Sequence, residues 1–596
     1  MGDGFVINER ISKLRDLMKK ENLSAFIIPS SDNHQSEYVG DYFKSREFMS
    51  GFTGSAGTLV VTLKEAGLWT DGRYHLQASR EINGTEVKLF KMGNPGVISY
   101  TTWIKESLEK GETVGFNGLV FSLSQYKNLC KDLNPLGIEV RAVSDLIDDI
   151  WEGRPTIPCD EIFDFDIKYS GESRVSKLER IRKVMEEKRV SNYVISSLDD
   201  IAWVTNLRGN DVRHNPVFLS YLVIGLEETA LYVDKCKVSK ELESILNKDG
   251  IAVKPYDEVF EDLKVLDSKE SFYLDGEKTN VSIFDAINKE SNIVEERNVT
   301  TDFKAIKNKV EIENFIKCHI KDGRAMVRFI YWLKNTIGKE EITEISASDK
   351  LEKFRSEEDD FKGISFDSIS AYEDNAAMLH YKAKEESNAK LSPRGFYLID
   401  SGGQYLDGTT DITRTISLGD ITEEQREDFT LVLKGHIALA KAVFLRGATG
   451  HSLDILARGP IWEKGLDYRC GTGHGVGFFL NIHEGPQGIR KEQSSITLEE
   501  GMILTNEPGI YKDGKHGIRT ENLHVIEKVE ENDYGTFLRF NTITYCPIEL
   551  DVINKDLLSQ DEILWLNNYH KEVYDVLSPI LEEEEKNWLK EATRSI

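Results

Sequence analysis

One spacing pattern occurs twice in this chain, and no other feature restricts its fold as much. Gly395-x-x-Leu398-x-x-x-x-x-x-Tyr405-x-Asp407-Gly408-x-x-x-Ile412 returns without a gap as Gly501-x-x-Leu504-x-x-x-x-x-x-Tyr511-x-Asp513-Gly514-x-x-x-Ile518. Each copy reads as a strand, a turn built on Asp-Gly and a returning strand, which is a β-hairpin. Two such hairpins predict two pseudo-symmetric halves facing one cleft. In the first, Asp400 closes the outgoing strand and Asp411 opens the returning one; in the second, Glu507 and Glu521 take comparable places. Paired strands lie roughly 4.8 Å apart, so both carboxylates of a hairpin can aim at one point.

Between the hairpins runs Gly471-Thr472-Gly473-His474-Gly475-Val476-Gly477, a glycine-rich stretch that lets a histidine approach a crowded place. Taken singly, none of these residues means much: 102 of 596 residues are acidic, and a lone Asp beside a turn is explained by the turn. The joint pattern is different, because four carboxylates brought together repel one another unless cations neutralise them. An oxygen-rich set suits hard divalent ions, and one histidine shifts the preference toward manganese, cobalt, zinc or iron.

A second duplication lies upstream. Ser24 to Asp32, Gly57 to Leu63 and Gly67 to Asp71 read as strands, and Ser191 to Asp199, Phe218 to Ile224 and Ala230 to Asp234 repeat the plan. Each set follows an amphipathic helical pattern, Ile11, Leu14, Leu17 and Met18 in one and Leu178, Ile181, Val184 and Met185 in the other, which predicts two related α/β domains. The connector Trp151 to Pro158 carries two prolines and a glycine, and a second boundary falls between Val299 and Phe303. Beyond it come a long helical region through Leu333, a strand at Gly395 to Asp400, a helix from Glu423 to Phe444, and amphipathic helices from about Asp561 onward. The expected domains are therefore 1–158, 159–302 and 303–596.

A formal charge of −27 disfavours nucleic acid and anionic membrane as partners. Valine stands where a myristoylation signal needs Ser or Thr, and no stretch has the apolar length of a membrane span. The six cysteines, Cys130, Cys159, Cys236, Cys318, Cys470 and Cys546, are far apart with no C-x-x-C pair, so the expectation is unpaired thiols in a reducing cytoplasm.

Asp400, Asp411, His474, Glu507 and Glu521 resemble the ligand series of the pita-bread metallopeptidases, a family that includes methionine aminopeptidases, proline dipeptidases and Xaa-Pro aminopeptidases. The segments Tyr397 to Gly403, Gly473 to Gly477, His483 to Pro486, Asn506 to Gly509 and Gly517 to Asn522 are similar to those of the three-domain, cytosolic Xaa-Pro aminopeptidases. So are Gly51 to Gly57 and Trp69 to Tyr74, and the resemblance covers nearly the whole chain.

That resemblance implies an α/β and α+β multidomain fold: two creatinase-like N-terminal α/β domains, then a pita-bread catalytic domain with a C-terminal helical extension. It implies two divalent metal ions, Mn2+ in this subfamily, bridged by Asp411 and Glu521, with Asp400 on one ion and His474 and Glu507 on the other. Catalytic roles fall to Glu507 as proton carrier and to His380 and His483 as substrate-contacting residues, while Arg519 and Arg414 orient carboxylates. The substrates implied are peptides with proline second, and the assembly a cytoplasmic homodimer. Many relatives carry histidine where this chain has Cys470. Two rival readings are a proline dipeptidase, which usually has one N-terminal domain, and a metal-free binding module, which has lost ligand residues.

Overall fold

In the computed structural model, residues 3–596 are described, and the chain divides into two compact units, one of residues 1–166 with 172–300 and one of 167–171 with 301–596.

The first unit contains two six-stranded sheets with one plan. In one, the strands run Val87–Lys91, Ala66–Thr70, Thr58–Thr62, Ala25–Pro29, Thr113–Asn117 and Glu139–Val143 across the sheet. In the other they run Ile251–Lys254, Thr229–Val233, Ser220–Gly225, Asn192–Ile195, Ser271–Leu274 and Asn292–Glu295. The directions also correspond: the two pairings on either side of the third strand are antiparallel and the rest are parallel. Each sheet is preceded by an amphipathic helix, Asp3–Lys20 burying Ile7, Ile11, Leu14 and Met18, and Arg174–Lys188 burying Leu178, Ile181 and Met185. The helical periodicity thus puts one apolar stripe on each sheet.

His34 is buried here, its ring nitrogens 2.8 Å from Ser196 O and 2.8 Å from Tyr256 Oη, and burial pulls its pKa down to about 4. It is a neutral structural histidine. The expectation of unpaired cysteines needs correction: Cys159 and Cys236 form a disulfide. The connector after residue 158 turns back onto the loop that follows strand Thr229–Val233, where Ile162 N–H donates to Lys237 O at 2.9 Å. A sequence separation of 77 carries no sign of that approach.

In the second unit both repeated segments are hairpins of the same construction. Phe396–Ser401 pairs antiparallel with Ile412–Ser417, and the chain between them folds into a smaller hairpin, Gly403–Tyr405 against Gly408–Thr409. Likewise Ile503–Asn506 pairs with Asn522–Asn532, and between them Gly509–Lys512 pairs with His516–Arg519. Both carboxylate pairs therefore lie at forks, where a strand leaves one sheet for another. The sequence did not reveal this change of sheet, because the alternation of side chains continues across it.

The helix Glu423–Ala440 ends earlier than periodicity predicts, since Val443–Leu445 is taken up as an edge strand against Gly535–Thr542. The helix Lys309–Thr336 starts on a capping box, Asn308 accepting from Glu311 N while the Glu311 side chain accepts from Asn308 N, and buries Phe315, Met326, Phe329 and Leu333. The helices Gln560–Leu577 and Glu583–Ala592 cover an apolar cluster containing Ile437, Ile510, Ile548 and Leu566. Among the described residues no helix is long and apolar enough to cross a membrane.

Arg355 is fully buried against this frame. Its Nε and Nη2 meet the two oxygens of Asp322 at 2.8 and 3.1 Å, and Tyr405 Oη donates to Asp322 at 2.9 Å. Arg355→Ala would leave Asp322 charged and desolvated, so a loss of about 3–5 kcal/mol in urea unfolding is expected. A loss below 1 kcal/mol would mean that the pair behaves as an exposed one.

Candidate metal centre

Asp400 is the last residue but one of strand Phe396–Ser401, and Asp411 directly precedes strand Ile412–Ser417. Glu507 follows Ile503–Asn506, and Glu521 directly precedes Asn522–Asn532. His474 is the middle residue of the short strand Gly473–Gly475, which pairs with Ile503–Asn506 through Gly475 and Leu504. The flanking glycines are required by close approach: a Cβ on Gly473 would stand 2.0 Å from Thr505 O, and one on Gly475 2.2 Å from Glu484 O. Only glycine lets backbone pass backbone so closely on both sides of the imidazole.

The fold brings these groups together. Donor atoms of Asp411, His474 and Glu521 all lie within 4.8 Å of one another. His474 Nε2 is 3.5 Å from Asp411 Oδ2 and 3.5 Å from Glu507 Oε1. Its Nδ1 is 2.9 Å from Gly475 O, and since a carbonyl only accepts, Nδ1 carries hydrogen and Nε2 faces the carboxylates. Asp400 is held by the Arg519 guanidinium through Oδ2, while its Oδ1 is buried with no hydrogen-bond partner. Glu507 and His474 keep 20% and 23% of their side-chain surface, against 5% for Asp411, so the cluster opens on their side.

The electrostatics record the crowding. Burial, then the charges of Asp400 and Glu507, push Asp411 up to about 6 although His474 pulls the other way. Burial, then Asp411, Glu507 and Asp400, hold Glu521 well above the usual carboxylate range. Burial alone would lower His474, but its hydrogen bond to Asp411 and the charge of Glu507 raise it to about 9. A set of buried acids that resist ionisation, with an oxygen of Asp400 facing no donor, fits divalent cations, which would satisfy those oxygens and cancel the repulsion.

Of the remaining residues singled out in the sequence, His483 packs edge-on against His474, ring centroids 4.5 Å apart. His380 is half-buried beyond the short helix Glu373–Ala377, directly before Tyr381. Arg519 spans Asp400, Thr413 and Tyr511, and Arg414 reaches the backbone of Glu521. Cys470 lies beside the centre, where burial first and then Glu507 push its thiol up to about 12.

Sequence reasoning missed the threonines. Thr413 Oγ1 donates to Glu521 Oε2 at 2.7 Å and accepts from Arg519 Nε at 2.9 Å. Thr505 Oγ1 donates to Glu507 at 3.3 Å and accepts from His474 N at 3.0 Å. A signal was present, since Thr413 is two residues from Asp411 and Thr505 two from Glu507, which is the spacing of one strand face.

Residues 313–528 match metallopeptidase family M24, and residues 536–596 match the C-terminal region of peptidase M24. Residues 10–150 and 153–311 each match a creatinase/prolidase N-terminal domain. A probable Xaa-Pro aminopeptidase P of Laccaria bicolor is 41% identical over 98% of this chain and 92% of its own length. The chain belongs to metallopeptidase family M24. Another probable Xaa-Pro aminopeptidase P, from Sordaria macrospora, is 42% identical over 95% of each chain.

Among solved structures, an X-prolyl aminopeptidase from Caenorhabditis elegans, described as a cytosolic enzyme with a di-nuclear active site, superposes with a TM-score of 0.95. It shares 35% identity and covers 99% of this chain and 100% of its own. A prolidase from Pyrococcus horikoshii is 25% identical with a TM-score of 0.50 and covers 63% of this chain against 99% of its own. The M24 fold thus follows two creatinase-like domains, as the family resemblance implied.

Proposed function

We propose that this protein is a metal-dependent Xaa-Pro aminopeptidase that hydrolyses the bond between an N-terminal residue and a following proline. The observation that carries the reading is the convergence of Asp400, Asp411, His474, Glu507 and Glu521, within a chain matched along nearly its whole length by Xaa-Pro aminopeptidases P. On this reading the domains are 1–158, 159–302 and 303–596, the last carrying the chemistry.

Asp400, Asp411, His474, Glu507 and Glu521 would hold two divalent ions; Mn2+ is the proposed metal. When bound, such ions supply Lewis acidity and lower the pKa of a bound water to near 7. Glu507, on the open side of the cluster, would serve as the proton carrier, accepting a proton from the attacking water and giving it to the leaving nitrogen. This delivery is needed because an amide nitrogen must gain a proton as its bond to carbon breaks, and the prolyl nitrogen, which carries no hydrogen in the peptide bond, then leaves as a secondary amine. His483, beside His474, would orient the scissile peptide, and for His380 the role of donor to the developing oxyanion is what the family resemblance implies. Arg519 fixes Asp400, and Thr413 fixes Glu521, so the donor set is ordered before substrate arrives.

The cytoplasmic placement is supported by the description of the nematode relative as cytosolic, and a homodimer by the family resemblance. The test is hydrolysis by metal-stripped protein with single metals restored, offered an Xaa-Pro tripeptide and a Gly-Pro dipeptide side by side. The expected result is Mn2+-restored cleavage of the tripeptide well above that of the dipeptide. Preference for the dipeptide would make the protein a dipeptidase, and inertness toward both with every metal would sink the reading.

A further inference from the structure

Arg414 follows Thr413 on strand Ile412–Ser417, so its side chain leaves the face opposite the carboxylates. It is 2% exposed, and its N–H groups all meet acceptors. Nη1 donates to Glu521 O at 2.6 Å and Thr413 O at 3.0 Å. Nε donates to Pro547 O at 3.0 Å, and Nη2 faces Asn522 Oδ1, Cys546 O and Tyr569 Oη at 2.8, 2.9 and 3.0 Å.

One guanidinium therefore clamps the Thr413–Glu521 pair from behind. The pair is already joined in front by two bonds, Thr413 Oγ1 to Glu521 Oε2 at 2.7 Å and Glu521 N to Thr413 O at 3.2 Å. A small rotation of the guanidinium would shift the backbone of Glu521 and carry its carboxylate with it.

Part of what holds the guanidinium comes from the far end of the chain, where Tyr569 Oη meets Nη2 beside Asn522 Oδ1 and Cys546 O. Tyr569 lies buried on the helix Gln560–Leu577, and Trp565 stacks on its ring at 5.5 Å with planes 10° apart. Its single hydroxyl hydrogen faces the carbonyls of Cys546 at 2.8 Å and Thr544 at 3.1 Å, while its oxygen accepts from Arg414 Nη2 at 3.0 Å and from Cys546 N at 3.4 Å. Burial first keeps this hydroxyl neutral, with its pKa pushed up to about 12, so the donated hydrogen stays in place. The oxygen is a junction: the same atom fixes the stretch 544–546 and the arginine that sits on Glu521.

We propose that Tyr569 is a positioning residue of the metal centre, acting through Arg414 on Glu521, which makes the C-terminal helix a working part of the catalytic unit. This rests on the proposed metal-dependent reading. The carboxylate it steadies belongs to the set that would hold the ions, so losing the junction should affect metal binding and turnover together.

The experiment uses full-length Tyr569→Phe and, as a control on the same helix, Tyr574→Phe, which is half-buried against the same apolar cluster. Each metal-stripped protein is titrated with MnCl2 by calorimetry, then assayed at saturating Mn2+ with an Xaa-Pro tripeptide, and its melting temperature is recorded. For Tyr569→Phe the expected result is Mn2+ affinity weaker by about 10- to 100-fold, kcat lower by about tenfold, and KM unchanged. Tyr574→Phe should match the wild type in affinity and kcat. Wild-type affinity and kcat in Tyr569→Phe, or an equal loss in Tyr574→Phe, would overturn the proposal. Should Tyr569→Phe not fold, Arg414→Lys is read by the same criteria, because lysine keeps the charge but cannot span Glu521 O and Tyr569 at once. A wild type inert toward Xaa-Pro peptides would count against the functional reading, whereas an active wild type with an unaffected Tyr569→Phe would count against this inference alone.

Discussion

Glu521→Gln is expected to lower kcat/KM for an Xaa-Pro peptide by about 10³-fold or more, while making the metal-free protein more stable. The first effect follows from the position of Glu521 among Asp411, His474 and Thr413, where glutamine keeps the shape but offers one neutral oxygen in place of the carboxylate proposed to hold the ions. Lewis-acid stabilisation of a transition state contributes several kcal/mol, and about 1.36 kcal/mol is a decade in rate. The second effect follows from crowding: burial and three neighbouring carboxylates already hold Glu521 well above the usual carboxylate range. Glutamine removes the desolvated charge, its oxygen still accepts from Thr413, and its amide can donate toward Asp411. Removing a group whose ionisation is disfavoured by burial and by like charges stabilises the metal-free fold at neutral pH. Steady-state kinetics with Mn2+ and urea unfolding with chelator would read the two halves. Activity within tenfold of wild type, or a metal-free protein less stable than wild type, would contradict the assignment of Glu521 as a ligand held under repulsion.

The legible part of this centre is what strand periodicity and turn chemistry control. Asp407-Gly408 and Asp513-Gly514 placed both inner hairpins, and the register of the outer strands then put Asp400 opposite Thr413 and Asn506 opposite Asn522. Glycines on both sides of His474 marked a place where backbones cross closely, which the approach of Thr505 O and Glu484 O explains. Contacts between residues remote in sequence were not legible. Arg414 and Tyr569 are 155 residues apart, and nothing in either segment encodes the meeting. Arg458, fully buried, gathers Asp454, the carbonyls of Tyr468 and Cys470, and Asp467, and so shapes the chain leading to His474; its sequence context is an ordinary helix. The disulfide of Cys159 and Cys236 and the early end of the helix at Ala440 have the same origin, since tertiary neighbours override a local pattern.

Affinity for Mn2+ is expected to fall by about 10⁴-fold between pH 8 and pH 5, and Xaa-Pro hydrolysis at limiting metal should fall with it. In the metal-free protein His474 keeps its proton up to about 9 and Asp411 up to about 6, whereas a metal takes only the deprotonated forms. Each pH unit below 9 therefore costs about a factor of ten through His474, and each unit below 6 costs a further factor of about ten through Asp411. From pH 8 to 5 that is three decades and one decade. Stability of the metal-free fold has the opposite sign. Both groups are raised on folding, His474 from 6.5 and Asp411 from 3.8. Their contribution is fully present in acid and is lost as pH climbs, for Asp411 between its ordinary value and about 6 and for His474 up to about 9. The rise in melting temperature on adding Mn2+ should accordingly widen steadily from pH 5 to pH 9. Calorimetric titration at each pH, in two buffers of different ionisation enthalpy, measures affinity and proton release together, and release at pH 7 should be at least one proton, from His474 and with it Glu521, whose ionisation is also held back. Flat affinity between pH 8 and pH 5, with no proton released, would show that His474 and Asp411 do not hold the ion.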